Sequence, residues 1–217
     1  MEIKKEEINE ILNALNNCEF TDLYDEIFYD EVVYPFKQKY KKPFTHDTGA
    51  TKGVLIFKEL GFVVKIPFNF NSDGEYHLCG ADDSGLGWNY CEVEEIKYEK
   101  AQIFGVKDCF AGTYEIGKIG KHPVYIQEYA KMFSEGGSPS PKEKTREELE
   151  RIEDMCDGMS ECFNNIWLSD ALDYFGEKKF YNLLSFLDDY DISDLHDANI
   201  GYIGMRPVLV DYSSFND

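Results

Sequence analysis

Near Phe44 the hydrophobic pattern of this chain changes period, and that change sets the order of the elements it can form. Before it, Ile3, Ile8, Ile11, Leu12 and Leu15 fall on one face of residues 2–17, with acids and lysines between them, which predicts an amphipathic helix. A second helical stretch starts at Thr21, carries Leu23, Ile27, Phe28, Val32 and Val33, and is expected to stop near Pro35. Beyond Phe44, residues 54–57 and 62–68 are runs of β-branched and aromatic residues joined by Lys58-Glu59-Leu60-Gly61, the pattern of a tight hairpin.

The next segment, 69–88, is rich in Gly, Asp, Asn and Ser and reads as a loop insertion. Residues 88–103 return to helical period, with Cys91, Glu94, Tyr98 and Ala101 on one stripe. Two further strands are expected at 109–115 and 123–130, and Gly136-Gly137-Ser138-Pro139-Ser140-Pro141 breaks the chain into a connector. Helices over 145–166 and 169–187 and two short apolar runs, 200–203 and 208–210, close the sequence. The expected class is therefore α+β: an N-terminal helical extension (1–43), a small antiparallel β-rich lobe of five strands interrupted by one helix (44–129), and a mostly helical lobe ending in a hairpin (130–217).

Composition narrows the function classes. With 217 residues, 43% of them hydrophobic and 15% aromatic, burial can offset the entropy of ordering, so disorder of the whole chain is excluded. There are 22 Lys and Arg against 42 Asp and Glu, a formal charge of −20. Duplex nucleic acid and anionic membranes are bound through a basic surplus, so neither is expected as a partner. The six cysteines form no Cys-x-x-Cys pair and no structural zinc site is expected; His77-x-Cys79 is the nearest approach. The charged opening residues and the lack of a long apolar run lead to the expectation of a cytoplasmic chain with reduced thiols.

The sharpest local signal is Asp194-Leu195-His196-Asp197-Ala198-Asn199, followed by Val208-Leu209-Val210-Asp211. Metal-assisted phosphoryl transfer needs an acid to orient the acceptor hydroxyl, and an Asn and an Asp to hold magnesium against phosphates. Asp194, Asn199 and Asp211 supply that set; a solvated acidic loop is the competing explanation. Lys65 stands inside an apolar strand, Val63-Val64-Lys65-Ile66, where an unpaired ammonium is costly, so a carboxylate partner is required. Helix 88–103 offers Glu92, Glu94, Glu95 and Glu99. Glu94 shares the packed stripe with Cys91, Tyr98 and Ala101 and is the choice, with Glu95 second.

These residues resemble the protein-kinase-like superfamily over about 44–217, and Asp194-Leu195-His196-x-x-Asn199 is closer to the catalytic loop of its aminoglycoside phosphotransferase and small-molecule kinase branch than to that of His-Arg-Asp protein kinases. The resemblance implies a two-lobed fold, with Lys65 and Glu94 as a catalytic pair on the phosphates, Asp194 as base, and Asn199 and Asp211 on Mg2+. It places Gly49 to Gly53 where kinases carry their glycine-rich loop, with Lys52 adding charge; only Gly49 matches a motif glycine, and a plain hairpin turn is the alternative. Val124 to Ala130 resembles the kinase hinge, which would give Gln127 the gatekeeper position and the backbone of Glu128 and Ala130 the adenine edge.

The sequence also departs from the family. No His stands two residues before Asp194, no Gly two residues after Asp211, and there is no Ala-Pro-Glu. Six residues follow Asp211, so the second lobe is expected to be truncated and to lack a substrate platform. The resemblance implies ATP and Mg2+ as cofactors and phosphotransfer to a hydroxyl of an unidentified protein or small molecule. An inactive nucleotide-binding pseudokinase or interaction module, and nucleotidyl transfer by the same residues, are the alternatives. Truncation would leave Trp167, Leu172, Phe175, Phe180 and Leu184 at risk of exposure, to be covered by the N-terminal helices or by a weak homodimer.

Overall fold

The computed structural model describes residues 3–76, 89–156, 164–193 and 195–213 and is an α+β protein with antiparallel sheets and several helices. Two compact units are present: Met1–Glu95 with Thr113–Tyr129, and Ile96–Gly112 with Ala130–Asn216.

The first unit is organised by a five-stranded antiparallel sheet in the order β1-β2-β3-β5-β4, with β1 Thr45–Thr48, β2 Lys52–Phe57, β3 Phe62–Pro67, β4 Thr113–Ile119 and β5 His122–Glu128. A 3-10 turn, Lys58–Leu60, joins β2 to β3 and ends on Gly61 at φ +76°, a left-handed position that glycine takes without steric cost. Register sorts the side chains. Val54 pairs with Lys65, Lys65 with Tyr125, and Thr113 with Gln127, so these residues and Lys52 share one face. The other face carries Leu55, Phe57, Phe62, Val64, Ile66, Val124 and Ile126, all buried.

The N-terminal helices cover that apolar face. Helix α1 (Lys5–Leu15) contributes Ile11 and Leu15, and the following helical stretch contributes Phe28, Val32, Val33 and Phe36 to the same core. This overturns the expected stop at Pro35. Helix α2 (Asp25–Phe28) runs through a π-turn, Tyr29–Val33, into α3 (Tyr34–Lys39), with Pro35 in the first turn of α3. Proline has no N–H for the carbonyl of Glu31 four residues back, and the backbone N–H of Glu19 bonds that carbonyl instead at 3.1 Å. The widened π-turn and an outside donor thus carry the helix past the proline.

The second unit holds a three-stranded antiparallel sheet, β6 (Lys131–Met132), β7 (Ile200–Ile203) and β8 (Arg206–Leu209), in that order, with helices α5 (Arg146–Met155), α6 (Asn165–Phe175) and α7 (Glu177–Asp189). Thr145 and Glu148 close a reciprocal capping box on α5, and the Asn164 side chain caps α6 by accepting from the Trp167 N–H. The expected single helix over 169–187 is two helices, because Gly176 at φ +79° turns the chain between α6 and α7. The two helices then pack on each other and α6 packs on β8. That packing removes the expected exposure: Trp167, Phe180 and Leu184 are buried, and Leu172 and Phe175 are half-buried. The strand expected from Cys109 begins at Thr113, since Lys107–Cys109 is a 3-10 turn.

Candidate functional site

Helix α4 (Tyr90–Ala101) follows β3 in the described chain and precedes β4. Its start is tied to the sheet by Asn89. The Asn89 Oδ1 accepts from the N–H groups of Cys91 (3.2 Å) and Glu92 (3.3 Å), while its Nδ2 donates to the Tyr125 hydroxyl at 2.8 Å. Burial pushes the Tyr125 hydroxyl well above the ordinary phenol range, which keeps it neutral as an acceptor. The helix therefore enters over β5 at the residue that pairs with Lys65.

One turn in, Glu94 is fully buried. Lys65 Nζ lies 2.6 Å from its Oε2 and Lys52 Nζ 2.9 Å from its Oε1, so each carboxylate oxygen takes a separate ammonium. Oε2 also accepts from the Thr113 hydroxyl at 3.2 Å and from Gln127 Nε2 at 3.4 Å, and Gln127 Nε2 reaches Thr113 Oγ1 at 2.8 Å. Lys52, Lys65, Thr113 and Gln127 are all buried and lie on the sheet face opposite the N-terminal helices. Such a buried ionic cluster is costly to assemble, and its geometry must be well satisfied to persist.

Glu94 is the carboxylate that meets Lys65. Glu95 turns instead to the backbone N–H of Glu115 at 2.9 Å, Glu92 is exposed, and Glu99 pairs with Lys107. Lys52 lies at the start of β2 rather than in a loop, and its side chain is 8% exposed. Thr113 escaped the sequence reading because its partner, Gln127, becomes visible only once the β4–β5 register is known.

The stretch at Gly49 is a hairpin turn between β1 and β2, in which the Gly49 N–H bonds the Lys52 carbonyl at 3.0 Å. A Cβ at Gly49 would meet open space. A Cβ at Gly53 would overlap the Phe28 ring, so Gly53 is needed for packing under β2. Glu128 ends β5 half-buried. Ala130 is buried with Ala111 and Val208 in the second unit.

In the second unit, Asn199 stands just before β7 and Asp211 just after β8. Pairing of Ile200 with Leu209 brings the two ends of the hairpin together, and the Asn199 carbonyl accepts from the N–H of Val210 (2.8 Å) and of Asp211 (3.4 Å). The Asn199 N–H in turn bonds the His196 carbonyl at 2.8 Å, which folds the loop onto the hairpin base. Asp211 is held on both sides. Leu209 O accepts from the Ala111 N–H (2.8 Å), the Tyr212 hydroxyl donates to Ala111 O (2.9 Å), and Ser213 O accepts from Lys97 Nζ (2.9 Å). One Asp211 oxygen accepts from the Ser213 hydroxyl at 3.0 Å. Helix α6 braces the hairpin: Trp167 Nε1 donates to Gly201 O at 3.2 Å and the Tyr202 hydroxyl to Asp170 at 2.8 Å.

Asp194 lies outside the described residues. Asn199 and Asp211 present an amide and a carboxylate, hard oxygen donors of the type magnesium takes. Among the described residues no group of three or more His, Cys, Asp or Glu is arranged to hold a metal ion, and no helix is long and apolar enough to cross a membrane. The chain matches no protein-family model, no curated protein and no solved structure.

Proposed function

We propose that this chain is a protein-kinase-like phosphotransferase that binds Mg-ATP and moves its γ-phosphoryl group to a hydroxyl. The observation that carries the reading is the buried Lys65–Glu94 pair, formed between the third strand of an antiparallel sheet and a helix that precedes the fourth. In this reading Glu94 holds the Lys65 ammonium in place for the α and β phosphates. Gln127, bonded to Glu94 and Thr113, takes the gatekeeper position, and Glu128 and Ala130 offer backbone groups to the base. Val54 and Val63, half-buried on the Lys65 face of the sheet, give an apolar surface for the adenine ring.

Asn199 and Asp211 would hold magnesium, whose charge offsets that developing on the phosphates. The backbone closure of the hairpin supports this assignment, because it keeps the two residues together without relying on their side chains. Asp194 accepts the proton of the acceptor hydroxyl as the oxygen–phosphorus bond forms and ADP leaves.

The test is transfer of labelled phosphate from ATP to hydroxylated acceptors, comparing wild type with Asp194→Asn. The reading expects turnover in the wild type and its loss in the variant with ATP affinity retained. ATP binding without transfer to any acceptor would move the pseudokinase reading ahead.

A further inference from the structure

We infer that Lys52 and Lys65 act as one paired-cation site for the nucleotide phosphates, with Glu94 as the common post that sets both. The inference rests on the nucleotide-binding reading and adds a second phosphate contact of equal weight from a different strand.

The two lysines reach Glu94 by different routes. Lys65 comes from the middle of β3 and takes Oε2, while Lys52 comes from the first position of β2 and takes Oε1. In the β2–β3 ladder Lys65 sits opposite Val54, so Lys52 is the diagonal neighbour on the same face. Both side chains are nearly buried, at 8% and 3% exposure, and each is a full charge on a flexible stem.

The two carboxylate oxygens are not equivalent. Oε2 is also engaged by Thr113 and Gln127, which fix its position, whereas Oε1 takes the Lys52 ammonium. Glu94 is thus steadied by uncharged donors on the Lys65 side and reaches out to Lys52 on the other. A triphosphate carries charge along a row of three groups. Two ammonium groups spaced by one carboxylate meet such a row at two points, where a single lysine meets it at one. Lys52 also follows directly on the β1–β2 turn, so its side chain leaves the sheet at the end where that turn lies.

The test measures binding of Mg-ATP, Mg-ADP and adenosine by calorimetry to the full chain and to Lys52→Gln, Lys65→Gln and the double variant. Glutamine keeps an N–H donor for Glu94 while removing the charge, and the thermal transition of each unliganded variant checks that it folds. The inference expects each single variant to bind ATP about tenfold to a hundredfold more weakly, with adenosine binding unchanged. A double variant weaker than either single one completes the expected pattern. ATP binding by Lys52→Gln equal to wild type would overturn the inference while the nucleotide reading stands on Lys65. Equal losses of ATP and adenosine affinity in Lys52→Gln would also overturn it, since they mark a packing role. Failure of the wild type to bind any of the three ligands would remove the nucleotide reading itself, and the inference with it.

Discussion

The carbonyl of Asn199 receives the backbone N–H of Asp211, twelve residues further along the chain, at 3.4 Å, with the Val210 N–H on the same oxygen at 2.8 Å. The two residues proposed to hold magnesium are therefore joined by main chain at the base of a hairpin. Asp211→Asn preserves side-chain shape and leaves the main-chain closure intact while removing the charge. The expected outcome is a loss of metal-dependent turnover of about a hundredfold or more, with an unchanged far-ultraviolet dichroism spectrum. A change in the spectrum would show that Asp211 serves the fold.

Glu94 is engaged by four side chains, Lys52, Lys65, Thr113 and Gln127. Its truncation to Ala leaves Lys52 and Lys65 without their shared carboxylate in a buried setting, and breaking such a cluster from one side costs about 3–5 kcal/mol. Urea unfolding should show a drop of that order for Glu94→Ala. Glu95→Ala should stay within about 1 kcal/mol, because its bond to the Glu115 N–H lies at an exposed position.

Gly53 lies under the Phe28 ring, where a Cβ has no room. Gly53→Ala should therefore destabilise by about 1–3 kcal/mol through overpacking. Coupling it with Phe28→Leu should recover part of the loss, and a double-mutant cycle in denaturant measures the recovery.

The capping box of α5 gives a pH dependence. The Lys142 ammonium, and after it the Thr145 N–H, hold the Glu148 carboxyl down at about 2 against an ordinary 4.5. A depressed carboxylate adds stability that is fully present above its unfolded value and is lost as pH falls through the folded one. Amide protection at residues 146–149, read by hydrogen exchange, should decline between pH 4.5 and about 2. Glu148→Gln should remove that dependence, leaving protection in this helix end flat over the same window.

Much of the scaffold was legible because it depends on local periods. Cys91, Glu94, Tyr98 and Ala101 fall on one helical stripe, and all four are buried. Four strands of the five-stranded antiparallel sheet and the closing hairpin likewise follow from short apolar runs between turn residues, whereas β1, Thr45-His46-Asp47-Thr48 and exposed, carries no such run. What was not legible depends on chain segments far apart. Pro35 stays in a helical stretch because Glu19, from another segment, supplies the missing donor to Glu31. The meeting of Lys52 with Glu94 needs both the β2–β3 register and the entry of α4, which Asn89 and Tyr125 determine. Gly176 reads as an ordinary glycine inside a helical period, and only its left-handed φ makes it the break between α6 and α7.

The central claim is that the folded chain binds Mg-ATP, and a thermal shift tests it most directly. A ligand that binds only the folded state stabilises it by roughly 2.7 kcal/mol at a hundredfold excess over its dissociation constant. For a chain of 217 residues that is a rise of about 5–10 °C in Tm. The account predicts such a rise with ATP and magnesium and a smaller one for Lys65→Gln. No shift with ATP, GTP or ADP, with magnesium or manganese, would contradict it.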